Sequence, residues 1–122
     1  MIDARQFVGQ RLRGGFIIEA IEFTAAPLRD ALEREAIAQT TIVGNKFRLL
    51  IQADMSDEEL SVTLYHEILE AAALAALNPP DALMDFNEAA FERAAREAHA
   101  RWGVVSPANL NRMLQFHEFD EQ

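Results

Sequence analysis

Three residues near the middle of the chain have the types and spacing needed to bind a metal ion and activate water. His66, Glu67 and Glu70 form the pattern His-Glu-x-x-Glu. On an α-helix, residues four apart project from one face, so His66 and Glu70 could share one ligand. In a His-Glu-x-x-His helix the two histidines bind zinc and the glutamate is the general base. The pattern therefore predicts a related site in which a glutamate replaces the second histidine.

The surroundings of this pattern determine whether it indicates a metal site, because the same His-Glu-x-x-Glu pattern recurs at residues 117–121, where little chain follows to complete a site. The first copy lies in a segment that is apolar on nearly every side, and an unpaired carboxylate is very costly to bury. His66 and Glu70 therefore need partners. Those partners could be a metal ion, or simply each other and an arginine such as Arg93 or Arg96.

Three helices are predicted to carry or follow these residues. Ser56 and Glu59 form a capping box, and further acidic residues follow at the positive end of the helix dipole. Prolines and glycines mark the ends of the helices. The predicted helices run from Ser56 to about Leu77, from near Asp81 or slightly later to Trp102, and from Pro107, capped by Ser106, to about Phe116.

The preceding half of the chain predicts a small sheet. Residues 16–23 are rich in β-branched and aromatic side chains, which favours a strand. Residues 37–43 and 46–51 flank Gly44-Asn45, a pair typical of a tight hairpin because both residues tolerate positive φ. Good helix formers at 27–35 predict a short connecting helix. We therefore expect one α+β domain spanning residues 1–122, with a small mixed sheet of about three strands packed on a metal-binding helix and two further helices.

Composition narrows the classes of partner. The 122 residues contain no cysteine, so disulfides and thiolate metal ligands are excluded. A formal net charge of −9 argues against a nucleic-acid partner, because binding to phosphates depends on Lys and Arg. No apolar run approaches the length needed to span a bilayer, and the first residues lack the features of a signal peptide. We expect a cytoplasmic protein with no membrane partner.

The order of these elements resembles a known family. A strand, a turn through residues 54–56, a capped helix bearing residues 63–72 and then Asn87-Glu88 on the next helix resemble the minimal zinc-metallopeptidase core of the gluzincin group of zincins. In that group a glutamate ligand follows on the next helix, often after an asparagine, and an acidic residue one turn later orients a ligand histidine. Here Glu88 lies 18 residues after Glu70, and Glu92 lies four residues after Glu88.

The resemblance implies a role for each matched position. His66, Glu70 and Glu88 would be the metal ligands, and Glu67 would take a proton from metal-bound water. Glu92 would hold the imidazole of His66. On the residue pattern alone, the following helix also carries His99 on the stripe of Glu88, where it is a candidate oxyanion donor or further ligand, or else a surface or packing histidine.

The departure from the family, Glu70 in place of histidine, affects both metal and activity. One imidazole and two carboxylates would neutralise a divalent ion, so bound water would be acidified less than in a catalytic zinc site. The resemblance implies zinc, whereas the donor set also suits manganese or iron, and a site without metal is the remaining alternative.

Three functions follow as expectations. The first is a metallopeptidase that hydrolyses a peptide or protein bound as an added strand along the sheet edge. The second is a zincin-like domain that has lost catalysis, marked by Glu70, and binds a metal or a protein partner. The third is an acidic protein-interaction module in which these carboxylates form ordinary ion pairs.

Overall fold

The described residues form a three-stranded mixed sheet, a two-stranded ribbon and three α-helices. The structure is a computed structural model, and it describes residues 2–25, 28–29, 35–76 and 80–119. The expected α+β architecture is confirmed. Its strands are β1 (Ile17–Thr24), β2 (Leu28–Arg29), β3 (Glu35–Ala36), β4 (Ala38–Val43) and β5 (Lys46–Gln52), and its helices are α1 (Asp57–Ala75), α2 (Glu88–Trp102) and α3 (Pro107–Phe116).

The main sheet has three strands in the order β1-β5-β4. The central strand β5 pairs in parallel with β1 and antiparallel with β4. The predicted hairpin is confirmed, and Gly44 in its turn has a φ of +63°. Phe47, Leu49 and Ile51 alternate along β5 and are buried. This alternation turns one face of the sheet toward the helices.

The short helix predicted at residues 27–35 is wrong where the structure describes the backbone. Residues 28–29 pair antiparallel with residues 35–36 as a two-stranded ribbon. Residues 27 and 30–34 of the predicted helix lie outside the described residues. Helix propensity is a weak preference, and a helix of two turns gains little from it, so pairing between strands can override it.

Helix α1 lies at the centre of the fold. The hydroxyl oxygen of Ser56 accepts a hydrogen bond from the backbone N–H of Glu59, as the capping box predicted. The helix ends at Ala75, slightly before the predicted end near residue 77. It contacts β4 on one side and α2 and α3 on others. Polar side chains in the middle of α1, namely Ser61, Thr63 and His66, are therefore buried.

Helix α2 begins later than predicted. Residues 81–83 form a single 3-10 turn, and the helix starts after Asn87, whose side-chain oxygen accepts a hydrogen bond from the N–H of Ala90 at 2.9 Å. Asn87 is thus the N-cap that fixes Glu88 in the first turn. The predicted end at Trp102 is confirmed, with Gly103 following at a φ of +87°.

The N-terminal segment closes the other end of the core. Phe7, Leu12 and Phe16 are buried. The ring of Phe16 stacks on Phe47 at a centroid distance of 5.1 Å and meets Phe119 edge-on at 6.2 Å. The segment before β1 is therefore part of the packed core, although its sequence has no clear periodicity.

Replacing Gly14 should destabilise this end of the core. Gly14 has a φ of +87°, and a Cβ there would lie 2.5 Å from Cε2 of Phe16. We expect Gly14→Ala to lower the free energy of unfolding by about 1–3 kcal/mol through backbone strain, and further by displacing the Phe16 ring. Gly9→Ala is the matched control, because Gly9 has a φ of +83° and nothing within 4 Å of a Cβ. Equal losses in denaturant unfolding would contradict the steric contribution.

Candidate metal centre

Helix α1 brings together the three residues of the His-Glu-x-x-Glu pattern. Candidate ligand atoms of His66, Glu67 and Glu70 all lie within 4.8 Å of one another. The His66 side chain is buried, and both glutamates are partly buried. This group could hold a metal ion, as its spacing predicted.

The His66 ring is held from α2. Its Nδ1 atom lies 2.9 Å from Oε1 of Glu92. A carboxylate accepts hydrogen bonds, so Nδ1 donates its proton to Glu92, and in the neutral tautomer that this bond selects the lone pair is on Nε2. The other oxygen of Glu92 lies 2.9 Å from Nη2 of Arg96. Arg96 therefore pairs with Glu92, and the two together fix the direction of the imidazole.

The Nε2 atom of His66 is buried and has no hydrogen-bond partner among the residues that the structure describes. Oε2 of Glu88 lies 3.2 Å away, which is within ion-pair distance but outside hydrogen-bond geometry. A ring lone pair and a carboxylate oxygen repel each other unless a proton or a metal ion lies between them. The ring thus points its available ligand atom at a cluster of anionic groups.

Glu70 is strained electrostatically by its neighbours. Burial, a hydrogen bond with the Glu88 carboxyl group and the negative charges of Glu88 and Glu67 raise the pKa of Glu70 to about 8. The carboxyl group is therefore largely protonated near neutral pH when no cation is bound. A divalent cation would replace that proton and relieve the repulsion.

Glu67 faces the sheet. The hydroxyl of Thr40 on β4 donates a hydrogen bond to Oε1 of Glu67 at 2.7 Å. Burial raises the pKa of Glu67, and this hydrogen bond partly opposes the shift. A carboxylate with a raised pKa is a stronger base, which suits proton transfer near neutral pH. Thr40 was not predicted as a site residue. The available signal is the alternation along β4, which places the Thr40 side chain on the partly buried face of the strand.

Glu88 lies beside the cluster without belonging to its tightest part. Its side chain is 73% exposed, and the three atoms closest together come from His66, Glu67 and Glu70. The division of roles in which Glu88 is a ligand and Glu67 is a base therefore stays a prediction.

The other two histidines of the chain, His99 and His117, lie away from the cluster of His66, Glu67 and Glu70. Nδ1 of His99 is 2.8 Å from the Ser61 hydroxyl, which also accepts a hydrogen bond from the N–H of Val105. Ser61 precedes His66 by about 7.5 Å of helix, so this contact joins α1 and α2 away from the cluster. His117 follows the last residue of α3 and packs against Phe86 and Phe116. The described part of this second copy, residues 117–119, is therefore not helical.

Comparisons with known proteins add no family. No protein-family model, no curated protein and no solved structure matches the chain. The likeness to zincins therefore depends on the residue pattern and the geometry of the cluster. No helix in the described part of the chain has the length and apolar character required to cross a membrane.

The raised pKa of Glu70 predicts a loss of stability as the pH rises. The folded-state pKa is about 8 and the ordinary value is 4.5, so between these values the folded protein keeps a proton that the unfolded chain has lost. Unfolding free energy should therefore fall from about pH 4.5 and level off above about pH 8.

The measurement is denaturant unfolding with EDTA at several pH values, for the wild type, Glu70→Gln and the exposed-strand control Glu22→Gln. Glu70→Gln should flatten the pH dependence and Glu22→Gln should not. The same slope in all three proteins would contradict the burial and charge crowding of Glu70.

Proposed function

We propose that this chain is a zincin-like metal-binding domain that hydrolyses peptide bonds. In this proposal His66, Glu70 and Glu88 bind a divalent metal ion and Glu67 is the general base. The observation that carries it is the buried Nε2 atom of His66, which has no hydrogen-bond partner in the described part of the chain and faces a cluster of carboxylates.

The residues present fit such an ion. The ring is already oriented by Glu92, so its Nε2 lone pair is available as a ligand. Glu70 and Glu88 crowd each other, and a divalent ion would neutralise both charges. One imidazole and two carboxylates accommodate zinc, and equally manganese or iron(II), because oxygen donors suit harder ions.

A divalent metal bound there would act as a Lewis acid that acidifies water and polarises a substrate carbonyl. Glu67 would accept the proton of the attacking water and pass it to the amide nitrogen as the peptide bond breaks. The Thr40 hydroxyl donates to one oxygen of Glu67, so the other oxygen would be the one that accepts the proton. Since two ligand carboxylates cancel the charge of the ion, turnover should be slower than in a site with two histidines.

The substrate would bind along β4. This strand is at one end of the strand order in the three-stranded sheet, and its Thr40 contacts Glu67 directly. At the opposite end, β1 exchanges backbone hydrogen bonds with Gly9 and Gln10. An extended peptide added alongside β4 would place its backbone next to the proposed base.

A non-catalytic version of the same site is the second candidate. Glu70 favours it, because a third anionic group next to Glu67 and Glu88 weakens the activation of water. The acidic interaction module remains as the third reading, supported by the ion pairs of Glu92 with His66 and Arg96. Metal content separates this third reading from the other two.

Metal content is the first prediction of the proposal. The purified chain, prepared without chelator or histidine tag, should carry about one equivalent of a transition metal by elemental analysis. Glu88→Ala should lose most of it. Glu97→Ala removes the same charge from an exposed position of α2 and should keep the metal. A wild-type chain that stays metal-free after incubation with zinc and with manganese would refute the metal centre.

Glu67→Gln should separate binding from catalysis. We expect the variant to retain the metal and to lose peptide hydrolysis by about 100-fold or more, because a positioned general base contributes factors of that order. Thr40→Val should keep the base and lower activity less. Unchanged turnover in Glu67→Gln would exclude Glu67 as the base, and a metal-loaded wild type without turnover on a peptide library would favour the non-catalytic candidate.

A further inference from the structure

A concave site lies between the N-terminal segment and α3. It has a volume of about 310 Å³, and its lining residues do not include His66, Glu67 or Glu70 of the candidate metal site. We propose that this site, named here the arginine cavity, binds a small phosphorylated molecule through its phosphate group. The lining residues are Arg11, Leu12, Arg13, Ala108, Asn111, Arg112 and Gln115.

The charge of the arginine cavity is opposite to that of the protein. The chain has 20 acidic and 11 basic residues, yet three of its ten arginines line this one cavity. No acidic side chain is among the lining residues that the structure describes. The cavity is therefore a local positive region on a strongly acidic protein, and such a region attracts anions.

Two of these arginines have no carboxylate partner in the part of the chain that the structure describes. Elsewhere, Arg5 pairs with Asp3, and Arg48 pairs with Glu19. Within the ranges that the structure describes, Arg11 and Arg112 form no ion pair. Guanidinium groups around one concavity repel each other, and this repulsion would be offset by a bound anion.

The walls of the cavity are held in place. Four of its residues, at 108, 111, 112 and 115, have the spacing of one face of α3. On the opposite wall, the backbone N–H of Arg13 donates to Oδ1 of Asn111 at 2.9 Å, and its Nε donates to the Phe119 carbonyl at 3.1 Å. The Arg112 guanidinium donates to Oδ1 of Asn109. Because these donors are already positioned, binding costs less conformational entropy.

The donors and the volume define the ligand class. Guanidinium groups match the geometry of phosphate oxygens, and the Asn111 amide adds N–H donors because its oxygen is already an acceptor. Several positive charges favour a dianionic phosphate over a singly charged carboxylate. The volume lies near the lower limit for small-molecule pockets, about 300 Å³, so the ligand is a small phosphorylated molecule.

The test uses the full chain and inorganic phosphate as the probe, titrated by calorimetry at constant ionic strength, with acetate as the singly charged comparison. We expect saturable binding of phosphate at one site, tighter than that of acetate. Arg11→Gln/Arg112→Gln should weaken phosphate binding about tenfold or more, because each lost bond involves charged groups. Circular dichroism verifies that the variant is folded.

Two further variants make the result specific. Arg48→Gln/Arg93→Gln removes the same charge from exposed positions outside the cavity and should bind phosphate like the wild type. Asp120→Asn/Glu121→Gln removes two acidic residues that follow Phe119 in the sequence, so its affinity should be equal or higher. Equal affinities for phosphate and acetate, unsaturable binding, or equal losses in both arginine variants would overturn the proposal.

Discussion

The contact between His66 and Glu92 is the interaction on which the geometry of the candidate metal site depends. An imidazole on a helix that is apolar on most sides must find a polar partner, because burying it without one is costly. Glu92 supplies that partner from α2, at 2.9 Å, and Arg96 holds the second oxygen. The bond therefore sets the direction of Nε2 and adds a polar contact to the packing of α1 on α2. The Glu92 carboxylate thus connects two core helices and orients the candidate ligand atom of His66.

Much of the fold was predictable because its signals are local. The capping box at Ser56, the Gly44-Asn45 turn and the Ser106-Pro107 start each act within a few residues, and each is present as predicted. The start of α2 was placed too early because its cap, Asn87, was interpreted only through its neighbour Glu88. The pairing of β2 with β3 was missed because it depends on contacts beyond helix propensity.

The candidate site likewise combines residues that were predictable from local spacing with residues that are brought in by long-range packing. Spacing along α1 predicted the grouping of His66, Glu67 and Glu70, since helical periodicity places them close together. Thr40 was not predicted, because its bond to Glu67 joins residues 27 positions apart and needs the packing of β4 on α1. The arginine cavity was equally hidden, because the bond from Arg13 to Asn111 spans 98 positions. Long-range contacts of this kind follow from packing and leave little trace in local sequence.

The parallel pairing of β1 with β5 bears on the order in which the chain folds. It joins Ile17 to Lys46, and the segment before β1 contacts α3 across the 98 positions from Arg13 to Asn111, whereas the hairpin joins neighbouring segments and the bond between α1 and α2 spans 26 positions. Because distant pairings close long loops and form slowly, the hairpin and helices should assemble before β1 and its preceding segment dock. The candidate metal site, whose residues lie between positions 40 and 92, would then be complete before the N-terminal segment and α3 form the arginine cavity. We therefore expect the two sites to form at different stages of folding.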